Sequence, residues 1–107
     1  MKFDDYQKKA GATMLPSADN IYYVTLGLVN EAGEVAGKVK KWIRDQDADL
    51  DKLDKKALAD ELGDVLWYLA MTASKMGANL DDIAQRNLNK LASRAERGKL
   101  NGSGDNR

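Results

Sequence analysis

The chain has 107 residues, 17 lysines and arginines balanced by 17 aspartates and glutamates, one proline, and neither cysteine nor histidine. That length holds one domain of ordinary size. The missing cysteine removes disulfides, thiolate catalysis and thiolate zinc sites, and the missing histidine removes the commonest general base and metal ligand. Zero net charge gives no overall field for nucleic acid or an anionic membrane, and no apolar run approaches the roughly 18 residues of a bilayer span. The expectation is a cytoplasmic protein with no nucleic-acid and no membrane partner, whose chemistry runs on carboxylates, lysine, arginine, tyrosine or a hard metal held by oxygen.

Hydrophobic periodicity predicts an all-α, four-helix bundle-like domain over residues 1–98, followed by a Gly/Ser/Asn-rich, flexible tail over 99–107. The first helix is expected at residues 4–13, with Phe3, Tyr6 and Ala10 on one side, and it stops before a loop marked by Pro16. The second is expected at 21–44, with Ile21, Val24, Leu28, Ala32, Val35, Val39, Trp42 and Ile43 forming its stripe. An acidic connector follows, and Asp51 or Asp54 caps a third helix that runs to about Met76, with Gly77 ending it. Asn79 and Asp82 resemble a capping box for the fourth, whose stripe is Leu80, Ala84, Leu88, Leu91 and Ala95 and which Gly98 closes.

Three acid-x-x-acid pairs occur: Glu31 with Glu34, Asp51 with Asp54, and Glu61 with Asp64. Asp51 and Asp54 lie in a polar run and read as a solvated helix start. Glu31 and Glu34 sit about 60° apart on the second helix, on the side that also carries Lys38 and Lys41. Glu61 and Asp64 lie in Leu62-Gly63-Asp64-Val65-Leu66-Trp67-Tyr68-Leu69, which is apolar almost all round and therefore covered on most faces. Ionised carboxylates in such surroundings need a cation. The choices are Lys or Arg, through a Glu34–Lys38 pair one turn apart or Glu31 with Arg94 across the bundle, or a divalent metal in an all-oxygen site. Gly33, Gly37 and Gly63 near the acids suggest a close approach of backbone or ligand, because glycine inside a helix costs about 1 kcal/mol against alanine. A carboxylate-bridged di-iron bundle is disfavoured by the absence of any histidine. On the fourth helix Asn87, Lys90, Arg94 and Arg97 share one face, and beside metal-binding carboxylates they would supply the other half of a polyphosphate site.

Glu31-Ala32-Gly33-Glu34, Glu61-Leu62-Gly63-Asp64 and Asn87-x-x-Lys90-Leu91-x-x-Arg94 together resemble the signatures of the MazG-like nucleoside triphosphate pyrophosphohydrolases, in nearly the whole chain and as a small single-domain member. The resemblance implies an all-α fold assembling as a dimer or a dimer of dimers. It also implies Mg²⁺-dependent (or Mn²⁺-dependent) cleavage of a nucleoside triphosphate between its α and β phosphates. Glu31, Glu34, Glu61 and Asp64 would then hold metal, with Glu31 or Glu34 as the catalytic base, and Asn87, Lys90 and Arg94 would meet phosphates. Helix geometry adds Lys38 to the phosphate ligands, and Trp67 and Tyr68 are the aromatics that could stack on a base, with Trp42, Tyr22 and Tyr23 as further candidates. Rival readings are a phosphoribosyl-ATP, dUTP or dCTP pyrophosphatase and a non-catalytic helical assembly protein. The mostly apolar third helix, over Leu62 to Met71, further predicts a subunit interface, with Trp67 or Tyr68 near it.

Overall fold

The computed structural model describes residues 1–107, and every regular element in it is helical. The order is α1 (Phe3–Gly11), a 3₁₀ turn (Pro16–Ala18), α2 (Ile21–Gln46), a second 3₁₀ turn (Leu50–Lys52), α3 (Lys55–Lys75) and α4 (Leu80–Glu96). The expected all-α architecture is present, and the ends follow from local chemistry. The side chains of Asn20, Asp54 and Asn79 accept from the backbone N–H groups of Tyr23, Ala57 and Asp82, which caps α2, α3 and α4. Asp51 falls in the 3₁₀ turn before α3, where its own N–H is held by Asp49 Oδ1 at 3.0 Å, so Asp54 is the cap.

Gly77 takes φ +71° just past α3. There the N–H of Gly77 reaches Ser74 O at 3.1 Å and that of Ala78 reaches Ala73 O at 2.9 Å, a Schellman closure that a β-carbon at Gly77 would strain. The second helix runs two residues past the expected end and stops only where Asp47 and Ala48 both adopt positive φ.

Helices α2 and α3 pack along most of their length, with residue 27 against 68, 31 beside 64 and 38 opposite 61, so they run antiparallel. Helix α1 crosses the C-terminal half of α3. The small core is made of Ala10, Val24, Ala70, Met71, Ala73 and Leu80, with Tyr6, Met14, Trp67 and Tyr68 partly covered around it. Gln7 ties the crossing together. Its side-chain nitrogen donates to Ser74 Oγ (2.9 Å), Ala78 O (3.1 Å) and Ala70 O (3.4 Å), while its oxygen accepts from Leu80 N (2.9 Å). One side chain therefore fastens α1 to the end of α3 and the start of α4.

The chain is open. Only 8 of 107 residues are buried, and the radius of gyration is 16.8 Å where about 13 Å suits a compact chain of this length. Helix α4 packs on α1 and barely touches α2 or α3, so the four helices do not close into a bundle within one chain. Leu62, Leu69, Leu88 and Leu91 are accordingly exposed, and no helix is long and apolar enough to cross a membrane. Beyond α4, residues 99–107 turn back along it. Arg107 donates to Lys99 O, Leu100 O and Gly104 O, and Arg97 donates to Arg107 O.

Replacing Gln7 by Ala removes four hydrogen bonds and leaves the Leu80 N–H without its acceptor. The expected loss is about 1–3 kcal/mol, readable as a lower denaturation midpoint; an unchanged midpoint would show that the clamp contributes nothing.

Candidate metal centre

The antiparallel pairing of α2 with α3 decides which acids meet. One carboxylate oxygen from each of Glu31, Glu61 and Asp64 lies within 4.8 Å of the other two. Glu31 comes from the middle of α2, and Glu61 and Asp64 from successive turns of α3. The pair on α3 is three residues apart, so both side chains point to the same side of the helix. Glu61 is largely covered, at 19% side-chain exposure, and its one cationic partner is Lys38, with Nζ at 3.7 Å from Oε1.

Three carboxylates against one partly exposed lysine leave the cluster short of positive charge. The consequence falls on Glu31, whose pKa is raised from its ordinary 4.5. Burial is the first cause, followed by the negative charges of Asp64, Glu61 and Glu34 and a hydrogen bond shared with Glu61. The donor set is hard, all-oxygen and undercompensated, which fits a cation of the Mg²⁺ or Mn²⁺ type and does not favour zinc.

Glu34 does not join the three-oxygen group. It is exposed, one turn along α2, and acts on Glu31 through its charge. Two ion pairs expected from spacing are corrected. Lys38 does not bridge Glu34 one turn back on its own helix; it reaches across to Glu61, because α3 presents a more covered acid. Arg94 does not meet Glu31, because α4 lies off α2; its charged partner is Asp105 in the turns after α4. No atom of this chain would meet a β-carbon at Gly33, Gly37 or Gly63. The close helix approach expected there occurs instead at Gly27, where the Tyr68 ring lies directly over the bare Cα.

That approach places an aromatic wall beside the acids. Trp67 and Tyr68 meet edge to face with centroids 4.9 Å apart, Tyr23 lies 6.5 Å from Tyr68, and Trp67 Nε1 donates to Thr13 Oγ1 at 2.9 Å. The two rings and the carboxylates of Glu31 and Asp64 line one open depression of about 380 Å³. The Tyr68 hydroxyl is pushed up in pKa by burial first, then by Tyr23, Glu31 and Asp64. On the other side of Lys38, a cleft of about 300 Å³ runs between the end of α2 and the start of α3, walled by Trp42, whose Nε1 is taken by Asp49 O at 2.8 Å. Sequence reasoning passed over Gly27 as a close-approach position, although a glycine deep inside a long helix was the available signal.

The basic row of α4 stands apart from the acids. Asn87 and Lys90 border a cleft of about 260 Å³ together with Ile83 and Arg86, a cation that the row's spacing did not bring out. Lys90 and Arg94 both contact Asp105 Oδ1, at 3.2 and 3.5 Å.

Residues 22–98 match the MazG nucleotide pyrophosphohydrolase domain. The chain belongs to this family. The matched span holds all four acids, Lys38, both aromatic-wall residues and the Asn87–Lys90–Arg94 row, and it leaves out α1 and the turns after Gly98. The chain is also 46% identical to the gene 37 protein of Mycobacterium phage L5, with the full length of both proteins covered. No solved structure matches.

Because the folded state raises the Glu31 pKa, Glu31 ionises more easily in the unfolded chain. Its penalty is absent well below the ordinary value of 4.5, grows as pH rises from there towards the raised value, and is complete above it. In chelator-treated protein, Glu31→Gln is therefore expected to raise the thermal midpoint at neutral pH and to have little effect near pH 4. A midpoint lowered at neutral pH would show that Glu31 is well compensated without metal.

Proposed function

We propose that this MazG-family protein hydrolyses a nucleoside triphosphate at the α–β phosphoanhydride, with water as the second substrate and a nucleoside monophosphate and pyrophosphate as products. The observation that carries this reading is the convergence of Glu31, Glu61 and Asp64 beside an aromatic wall, in a chain of this family. Carboxylates that repel one another in the free protein are arranged to receive positive charge, and a triphosphate with its cation brings it.

Glu31, Glu61 and Asp64 would hold Mg²⁺, or Mn²⁺ in its place. When bound, that cation supplies a hard Lewis acid that offsets the charge of the phosphates. Glu34, exposed and outside the three-oxygen group, is left to accept the proton of the attacking water. Lys38, within 3.7 Å of Glu61, is placed to shift from that carboxylate to a phosphate oxygen. Trp67 and Tyr68 offer a face for the nucleoside, held in place by Thr13 and by the bare backbone of Gly27.

Asn87, Lys90 and Arg94 complete the site only if a second copy brings them. Within one chain α4 lies off α2, and the leucines of α3 and α4 face outward. We therefore assign a homodimer, or a dimer of dimers, in which the exposed face of α3 and α4 is covered and the basic row of one copy faces the acids of the other. Pairing of this kind would also account for a radius of gyration well above that of a closed domain.

Purified protein with Mg²⁺ and a panel of ribo- and deoxyribonucleoside triphosphates, including dUTP, dCTP and phosphoribosyl-ATP, should release pyrophosphate and not orthophosphate. Chelator should stop the release, and Glu61→Gln should lower it by about 100-fold or more. Full activity in Glu61→Gln would remove that residue from the metal site.

Sedimentation at micromolar concentration should show a dimer or larger. Leu88→Glu, on the exposed face of α4, should shift the species to monomer and reduce pyrophosphate release with it. A fully active monomer would overturn the shared site.

A further inference from the structure

The turns after α4 lie outside the span that matches the family, yet they hold its two cations. Arg94 is the one buried charged residue of the chain, at 5% exposure. Its Nη2 donates to Asp105 O at 2.9 Å and to Gly104 O at 3.5 Å, while its Nε is buried with no partner. Asp105 Oδ1 sits 3.2 Å from Lys90 Nζ and 3.5 Å from Arg94 Nη2, although Asp105 itself is 84% exposed. A carboxylate thus stands between the two cations at distances near the outer limit of a hydrogen bond, in a setting where exposed ion pairs are weak.

We propose that Asp105 is an internal competitor for the phosphate site: its carboxylate occupies the Lys90–Arg94 pair in the free protein and is displaced when a pyrophosphate or triphosphate group enters. This rests on the reading of Lys90 and Arg94 as phosphate ligands and adds the regulation of that site. Three features favour exchange. The carboxylate carries one negative charge where a polyphosphate carries several, so the cations prefer the incoming group. With Asp105 in place the Arg94 guanidinium keeps a buried, unpartnered Nε, so this state does not satisfy it fully. The guanidinium is oriented separately by the main-chain carbonyls of residues 104 and 105, so the side chain of Asp105 can leave while Arg94 stays aimed. The turn that carries these carbonyls is closed independently by the Arg107 guanidinium, which binds Lys99 O, Leu100 O and Gly104 O.

The test is calorimetric titration of the full chain with inorganic triphosphate and with pyrophosphate, in chelator and at low salt, so that Lys90 and Arg94 are read without the acidic cluster. Asp105→Asn removes the charge, keeps the shape and leaves both carbonyls in place. It is expected to bind either anion about two- to fivefold more tightly than the natural protein, with the difference shrinking as salt is raised. In a steady-state assay the same substitution should lower KM by a similar factor. Lys90→Gln combined with Asp105→Asn should lose the gain.

Equal affinity of Asp105→Asn and the natural protein would overturn the proposal, and so would weaker binding, which would make Asp105 an orienting group. The hydrolase reading fails separately. If no nucleotide in the panel yields pyrophosphate, the titration still measures the competition; if pyrophosphate is released but the titration shows no difference, only the competitor role is lost.

Discussion

The site depends on mutual repulsion held in place by helix packing. Glu31, Glu61 and Asp64 approach within a few ångströms of one another because α2 and α3 are locked antiparallel, and one lysine is all that faces them. The lock includes a contact with no charge in it, the Tyr68 ring on the bare Cα of Gly27. Packing energy spread over two long helices keeps the carboxylates together, and burial first, then the neighbouring negative charges, raise the Glu31 pKa. The same contact brings the Tyr68 and Trp67 rings beside the acids, so a charged end and an apolar face adjoin in one depression. That combination suits a nucleotide, which is an apolar ring system attached to a polyanion.

The second constraint is that one chain does not have enough covered surface. Its core is six residues and its leucines on α3 and α4 point outward. Long, thin helices joined by short turns present broad faces, and a single short chain cannot cover them all. The acids and the basic row are consequently carried on parts of the chain that do not meet. Where the cations lie free of the acids, the turns after α4 hold them with carbonyls and the Asp105 carboxylate.

Much was legible beforehand because helix signals are local. Caps at Asp54 and Asn79 and the stop at Gly77 rest on hydrogen bonds a few residues long, and the apolar stripes of α2 and α3 depend only on a period of about 3.6 residues. Ion pairs were the weakest inference. Spacing on one helix pointed Lys38 towards Glu34, but Lys38 turns to the more covered Glu61 on the neighbouring helix. Glycine was a similar case: Gly33, Gly37 and Gly63 stand near the acids in the chain, while the helix approach falls at Gly27, one turn before Glu31.

The order of residues by itself determined that the protein is helical, roughly where its four helices lie, and which carboxylates come in pairs three residues apart, since each of these depends on interactions within a turn or two of chain. It also carried the family signature. Only the tertiary structure decided that three of the four acids converge while Glu34 stands aside, that Tyr68 meets Gly27, and that Lys90 and Arg94 hold the turns after α4 and not the acidic cluster of α2 and α3. Those outcomes depend on the relative rotation and separation of helices, which many side chains set jointly and no local pattern encodes.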